Sequence, residues 1–293
     1  MSGLKPSLPP ALYLVATPIG NLGDITLRAL DVLRRADRIA CEDTRQTQKL
    51  LNHFQIEKKT VSCHEHNERS RATELVQSIK AGEAVALVTD AGMPGISDPG
   101  RLVVAAAIAS GIPVVPVPGA NAALSALVAS GLPAAEFTFL GFLPEKAGAR
   151  RTCLEKLAAA PRESAQTLIF YEAPHRIAQT LSDMQETWGA SLRAVVAREL
   201  TKIHEEFLRG TVAEVRAALA ARGAVRGEIT LLIEAPASSG SAAETRESLS
   251  VRLNRLQTES GIEEKEALKR LARELGKSKS ELYREWQRER ARR

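Results

Sequence analysis

Three glycine- and proline-rich turns carry many of the residues in this chain whose types and spacing could do chemistry. They are TPIGNLGD at 17–24, TDAGMPGISDPG at 89–100 and PVPGAN at 116–121. The second packs three Gly, two Pro and two Asp into twelve residues, too many breakers for a regular element. Glycines there let the backbone approach a ligand closely, and Asp90 can accept from a ribose hydroxyl or face a cation. None of the three is a G-x-G-x-x-G fingerprint or a G-x-x-x-x-G-K-[ST] phosphate loop, so neither a nicotinamide dinucleotide nor ATP is indicated.

Four further clusters have two readings each. In Cys63-His64-Glu65-His66-Asn67 the two His could ligate zinc. Strand-like spacing puts His64 and His66 on one face and Cys63 on the other, and no second cluster completes four ligands, so no metal is expected. Glu42-Asp43-Thr44-Arg45 is either a helix start capped by Thr44 or a phosphate contact with Asp43 orienting Arg45. In Tyr171-Glu-Ala-Pro-His-Arg176, Pro174 starts a helix whose free amides, with His175 and Arg176, attract anions. Ala197-Arg-Glu-Leu-Thr-Lys202 offers Lys202 and Glu199 as proton-transfer groups. A desolvated Lys202 would have a lowered pKa and could act as a base. The plain alternative is an ion-paired surface ladder.

Positioning these turns requires a regular scaffold. The chain has 293 residues, 44% hydrophobic and 26% charged, the composition of a globular protein of about two domains. Short aliphatic runs at 11–17, 38–42, 59–62, 84–89 and 113–117 alternate with helical spacing at 24–35, 44–54, 68–81 and 101–110. After Gly119 the alternation resumes. Helices fit 121–130, 150–160, 177–188 and 211–221; strands fit 137–140, 166–171, 193–199 and 228–234. Strands separated by helices imply parallel pairing by crossovers, except 204–210, which no helix separates from the strand before it and which is expected to run antiparallel. The expected fold class is α/β: two α/β lobes at 1–118 and 119–236, followed by a small helical appendage at 237–293.

Composition excludes several classes. No apolar run approaches the ~18 residues of a membrane span. The first ten residues lack an apolar leader core, and three cysteines without framework spacing suggest reduced thiols, so a cytoplasmic protein is expected. Aromatics are only 4%, which argues against an RNA surface built on stacked rings. The net charge of +5 is concentrated at one end. Residues 237–293 hold fourteen Lys or Arg against ten Glu, leaving 26 basic and 25 acidic groups for the rest. After the small-residue linker at 235–241, helices at 244–260, 262–275 and 279–290 with Gly276 in the turn fit a helix-turn-helix pattern. A near-neutral body with a basic appendage suggests a polyanionic partner, though a solvated helical tail has the same charge.

Taken together, LVATPIGNLGDIT, EDTR, HEHNE, TDAGMPGISDPG, PVPGAN, GFLP at 141–144, YEAPHR and ARELTKIHEE resemble one family across roughly residues 12–234. It is the ribosomal RNA small subunit methyltransferase I family, within the tetrapyrrole-methylase-like class of S-adenosylmethionine enzymes. The resemblance implies a two-lobed homodimer with the methyl donor in the cleft between lobes, and 2′-O-methylation of a cytidine in the decoding region of 16S rRNA, free or within the 30S subunit. Carried over by motif, the S-adenosylmethionine site includes Pro18, Ile19, Asp90, Met93, Ile96, Asn121, Ala122, Tyr171, Ala197 and Glu228. The loop of His64, His66 and Asn67 is implied to lie near the acceptor, where Asp43, Arg45, His175 and Arg176 are candidate RNA contacts. The first turn departs from the G-x-G-P-G-D form of other tetrapyrrole methylases, which implies a different acceptor. The alternatives are a same-fold methylase of a small tetrapyrrole or protein side chain, and a non-catalytic RNA-binding assembly factor.

Overall fold

A computed structural model gives the structure, and it describes residues 7–237, 253, 256–257, 264–274, 282–283 and 286–287. The chain divides into two compact units, one of residues 1–159 and 165–235, the other of 160–164 and 236–293.

The first unit holds two five-stranded sheets. Strands β1 (Leu12–Val15), β2 (Arg38–Cys41), β3 (Thr60–Ser62), β4 (Val85–Leu87) and β5 (Val114–Val117) form the first, in order β3-β2-β4-β1-β5 with every pair parallel. Helices α1 (Leu27–Arg35), α2 (Thr44–His53), α3 (Glu68–Lys80) and α4 (Arg101–Ala109) connect them. Successive β1 residues serve opposite faces. Tyr13 and Val15 enter a core with Leu30, Leu33 and Leu51, while Leu12 enters one with Leu75, Val103 and Ala107. Burial on both faces is why these strands read as continuous aliphatic runs rather than as alternation.

The second sheet contains β6 (Phe137–Phe142), β7 (Gln166–Glu172), β8 (Arg193–Arg198), β9 (Glu206–Thr211) and β10 (Ile229–Ala235), in order β6-β7-β10-β8-β9. Here the expectation of parallel crossovers fails in part. Only β6 and β7 pair in parallel; β10 runs antiparallel to both of its neighbours, and β8 and β9 form the expected antiparallel pair. The crossover through α7 (Ile177–Trp188) does make β7 and β8 co-directional, but β10 arrives after α8 (Val212–Ala220) and fits between them. Helix α6 (Ala147–Ala159) packs with α7 and α8 over one face, whose core includes Leu154, Phe170, Leu181 and Val215. Helix α5 (Ala122–Ser130) covers the other face with Ala123, Ala126 and Leu127.

In the second unit, α9 (Glu264–Glu274) buries Ala267, Leu268, Leu271 and Ala272 on one stripe, packed with Leu253, Leu282 and Trp286. The 3–4 residue spacing of that stripe is the amphipathic pattern expected for 262–275. The linker residues 238–241, the turn at Gly276 and most of the helices expected at 244–260 and 279–290 lie outside the described residues. Among the described residues no helix is long and apolar enough to cross a membrane.

Candidate active site

Because β1 pairs with β4, the loops leaving their carboxyl ends lie side by side, the place where open α/β sheets receive ligands. They are joined by main-chain bonds. The Thr17 amide donates to the Gly92 carbonyl (2.9 Å), the Gly92 amide to the Thr17 carbonyl (3.2 Å), and the Thr17 hydroxyl to the Thr89 carbonyl (3.1 Å). The third turn closes against the first, with the Gly119 backbone so near Ala16 that a Cβ there would sit 2.8 Å from the Ala16 methyl. The far end of the 89–100 loop is fixed by Glu68 at the start of α3. Its buried carboxylate accepts from the Gly100 (2.8 Å) and Leu102 (2.7 Å) amides and so caps α4. Ile19 reaches from the first loop into the second sheet's core, beside Ile169, Val195 and Leu232.

Two cavities flank this junction. The first, about 340 Å³, is lined by Ile19, Met93, Ile96, Asn121, Ala122, Tyr171, Ala197 and Glu228, so eight of the ten residues expected at the donor meet here. Its wall is largely apolar. The Asn121 side-chain oxygen caps α5 by accepting from the Leu124 amide (2.9 Å). Tyr171 stacks edge-on against Phe139 and Phe142, at centroid distances of 5.0 and 5.7 Å. Burial, against a bond from the Ala123 amide and with Asp98 adding, raises the Tyr171 phenol above its ordinary value. The second cavity, about 450 Å³, is more polar than the first. Pro18 and Asp90, expected with the other eight, line this one instead, with Thr47, Lys49 and Lys202. Ile19, Ala91 and Glu228 belong to both cavities.

The Lys202 ammonium lies 2.9 Å from Glu199 Oε1 and 3.1 Å from Glu228 Oε2. Burial alone would lower its pKa, but the bonds to the two carboxylates outweigh it and hold Lys202 above the ordinary lysine value. The depressed pKa that a lysine base requires is therefore absent, and Lys202 is a cation. Glu199 is held below its usual value by Lys202 and then by the Glu228 amide, which donates to it at 2.9 Å. The turn carrying this pair is strained, with Glu199 at φ 51° and Thr201 at φ 65°. Gly227, at φ 90°, leaves room for Glu199, since a Cβ there would fall 2.4 Å from its side chain.

The remaining candidates are placed individually. Asp43, not Thr44, caps α2: the Arg45 amide donates to its carboxylate (2.8 Å), because the capping oxygen must precede the first helical residue. The exposed Arg45 guanidinium folds back on Asp43 at 2.9 Å, and these bonds keep the Asp43 carboxyl low. The Asp43 amide donates to Asp90 Oδ1 (3.2 Å), joining α2 to the second loop. The 63–67 segment turns rather than running extended. Asn67 accepts from the His64 amide (2.9 Å), the His64 and His66 rings meet edge-on at 6.0 Å, and Cys63 enters the core. Among the described residues no three His, Cys, Asp or Glu side chains are grouped to hold a metal. Arg176 was expected at the RNA, but its guanidinium is engaged internally, beside buried Glu172 (3.2 Å) and donating to the Leu143 carbonyl (2.8 Å). His175 is exposed.

Asp98 has no assignment from the sequence, although it is the second acid of the loop that singled out Asp90. It lines the first cavity. Burial and the adjacent Glu42 carboxylate push it up to about 6, opposed by the Thr89 hydroxyl and reinforced by Asp90.

A family model described as Tetrapyrrole (Corrin/Porphyrin) Methylases matches residues 11–216. The chain is 47% identical over 277 residues to the ribosomal RNA small subunit methyltransferase I of Halalkalibacterium halodurans, covering 93% of each protein. It is 45% identical to the protein of the same name from Synechocystis sp., covering 93% of this chain and 95% of that one. Among solved structures, the fold resembles uroporphyrin-III C-methyltransferase from Thermus thermophilus complexed with S-adenosylhomocysteine. The TM-score is 0.52 at 21% identity, covering 76% of this chain and 97% of that one. A diphthine synthase gives a TM-score of 0.56 at 14% identity, covering 76% and 89%. With the family model matched over residues 11–216 and relatives 45–47% identical over nearly the whole chain, the chain belongs to the tetrapyrrole methylase family and, within it, to the ribosomal RNA small subunit methyltransferase I group.

Proposed function

We propose that the protein transfers a methyl group from S-adenosylmethionine to the 2′-oxygen of a cytidine ribose in the decoding region of 16S rRNA. The observation that carries this reading is the pair of cavities, one largely apolar and one more polar, sharing Ile19, Ala91 and Glu228. A reaction between a small bound donor and a nucleoside needs two such recesses open to each other.

The first cavity suits the donor. Its volume lies in the range of small-ligand sites, its walls Ile96 and Ala197 accept an adenine ring, and Asn121 offers an amide edge. When bound, S-adenosylmethionine supplies a methyl group on a positively charged sulfur, open to attack in line with the breaking bond. The second cavity takes the acceptor ribose, with Asp90 and Lys202 as polar groups of its wall and Pro18 beside them in the lining. Lys202, fixed as a cation by Glu199 and Glu228, lowers the cost of ionising a hydroxyl placed beside it. Glu199 thus acts by positioning Lys202. Asp43 and Arg45 at the start of α2, with His64, His66, Asn67 and His175, contact RNA around that nucleoside. The functional divisions are 1–118, 119–236 and a basic appendage at 237–293 that binds rRNA. The working form is a cytoplasmic homodimer, for which Leu124 and Val128, exposed one turn apart on α5, are an apolar pair available for burial.

The test is transfer of labelled methyl from S-adenosylmethionine to 30S subunits from cells lacking this protein, with the label mapped by nuclease digestion and mass measurement. Label on one cytidine ribose is the expected result. Label on a base, on protein, or only on a small tetrapyrrole would overturn the acceptor assignment.

A further inference from the structure

Three carboxylates line the first cavity, and two are already neutralised. Glu172 faces Arg176 at 3.2 Å, and Glu228 faces Lys202 at 3.1 Å. Asp98 has no cationic side chain within ion-pairing distance among the described residues. The groups whose charge it feels are acids: Glu42 from the end of β2 and Asp90 from its own loop, with the Thr89 hydroxyl beside it. From β7 it faces the neutral Tyr171 phenol. His64 acts on Glu42 rather than on Asp98. A half-buried carboxylate without a counter-charge is costly unless a positive charge arrives from outside the chain.

We infer that Asp98 is the counter-ion for the cationic methyl donor, completing its charge balance only when the first cavity is filled. This rests on the reading that S-adenosylmethionine occupies that cavity. The donor carries two positive centres, the sulfonium and the amino-acid ammonium, and a carboxylate rewards a cation over a neutral body of the same shape. Because Asp98 in the free protein titrates at about 6, filling the cavity favours its ionised form and expels its proton to solvent at mildly acid pH. Affinity is therefore full above that value and falls as pH drops through it.

Calorimetry on the full-length chain tests this, with S-adenosylmethionine and S-adenosylhomocysteine as ligands, in buffers of different ionisation enthalpy between pH 5 and 8. Asp98→Asn is expected to weaken S-adenosylmethionine roughly 10- to 100-fold at neutral pH, the cost of one charge-assisted bond. It also flattens the pH dependence and removes the buffer-dependent heat; Asp98→Glu restores part of each. Equal weakening of both ligands places Asp98 at the ammonium, and weakening of S-adenosylmethionine alone places it at the sulfonium. A companion variant, Ala122→Phe, fills the cavity and is checked for native circular dichroism. If Ala122→Phe abolishes binding while Asp98→Asn binds like the parent, the role of Asp98 is overturned and the cavity assignment stands. Binding indifferent to both variants overturns the cavity assignment and this inference together. Proton release that persists in Asp98→Asn overturns the inference as well.

Discussion

A lysine between two carboxylates keeps its proton, and that decides what Lys202 can do. Its ion pairs are fully present below the ordinary lysine pKa and are lost only as pH rises through the elevated value. Across the neutral range the residue is therefore a fixed positive charge beside the second cavity. Replacing it as Lys202→Met is expected to lower the methyl-transfer rate constant about 100-fold, the scale for losing one electrostatic stabiliser. Single-turnover kinetics would read this, with donor affinity by calorimetry not reduced, since Glu228 then faces the donor cavity without its cation. An equal loss of donor affinity would instead make Lys202 a binding residue. The sequence made both readings of ARELTK available, catalytic base and ion-paired ladder. Only the distances to Glu199 and Glu228 separate them, because Glu228 approaches from a distant part of the chain, just before β10. Asp98 was hidden for a similar reason. Nothing in the string TDAGMPGISDPG distinguishes an acid whose neighbours are acids from one bonded to a main-chain amide, as Asp90 is to Asp43.

Helices α6 and α7 are clasped by a buried charge, not only by aliphatic packing. Arg150 and Arg151 donate to the two oxygens of Asp183 at 2.7 and 3.0 Å, and the Asp183 carboxylate is fully buried. Burial alone would raise the Asp183 pKa, but the bonds from Arg150, Arg151 and Gln179 prevail and lower it. Its contribution is thus complete above the ordinary aspartate pKa and is lost as pH falls through the lowered folded value. Asp183→Asn should cost about 3–5 kcal/mol at neutral pH by leaving Arg150 buried without its charge partner. Urea melts at pH 7 and in the acid range below 4 would show the cost, and the parent's steeper acid loss should disappear in the variant. Just before β10, Gly227→Ala is expected to destabilise by about 1–3 kcal/mol, through strain at positive φ and collision with Glu199. Thermal denaturation measures it, and methyl transfer should fall with it as Glu199 shifts.

Elements were the most legible level of the sequence. The α7 limits coincide with the expected 177–188, and the β8–β9 antiparallel pair follows from the missing helix. The α2 cap was misplaced by one residue, since Asp43 and Thr44 are both capping types and only geometry selects the one outside the helix. The position of β10 between β7 and β8 was not legible. Strand order within a sheet is decided by which edges remain open in three dimensions, and its aliphatic composition suits any central strand.

For the molecule as a whole, charge separates the body from its end. Fourteen of the 40 Lys and Arg fall in the last 57 residues against ten of the 35 acids. Removing residues 237–293 is expected to raise the apparent KM for RNA and to flatten its dependence on salt, since fewer phosphate contacts release fewer counterions. Filter binding across a potassium chloride series would check this, and an unaltered slope would mean the appendage does not touch RNA. The central place of β10 carries a consequence for synthesis. Among the described residues the last strand of the chain is the one on which β7 and β8 both close, and it also brings Leu232 beside Ile19, which joins the two sheets. A ribosome making this protein at ~5–20 residues per second has left β1 behind for roughly 10–50 s before Ile229 emerges. Until then β7 and β8 keep bare edges and neither cavity has its full wall, so the nascent chain is at its stickiest just before it becomes an enzyme.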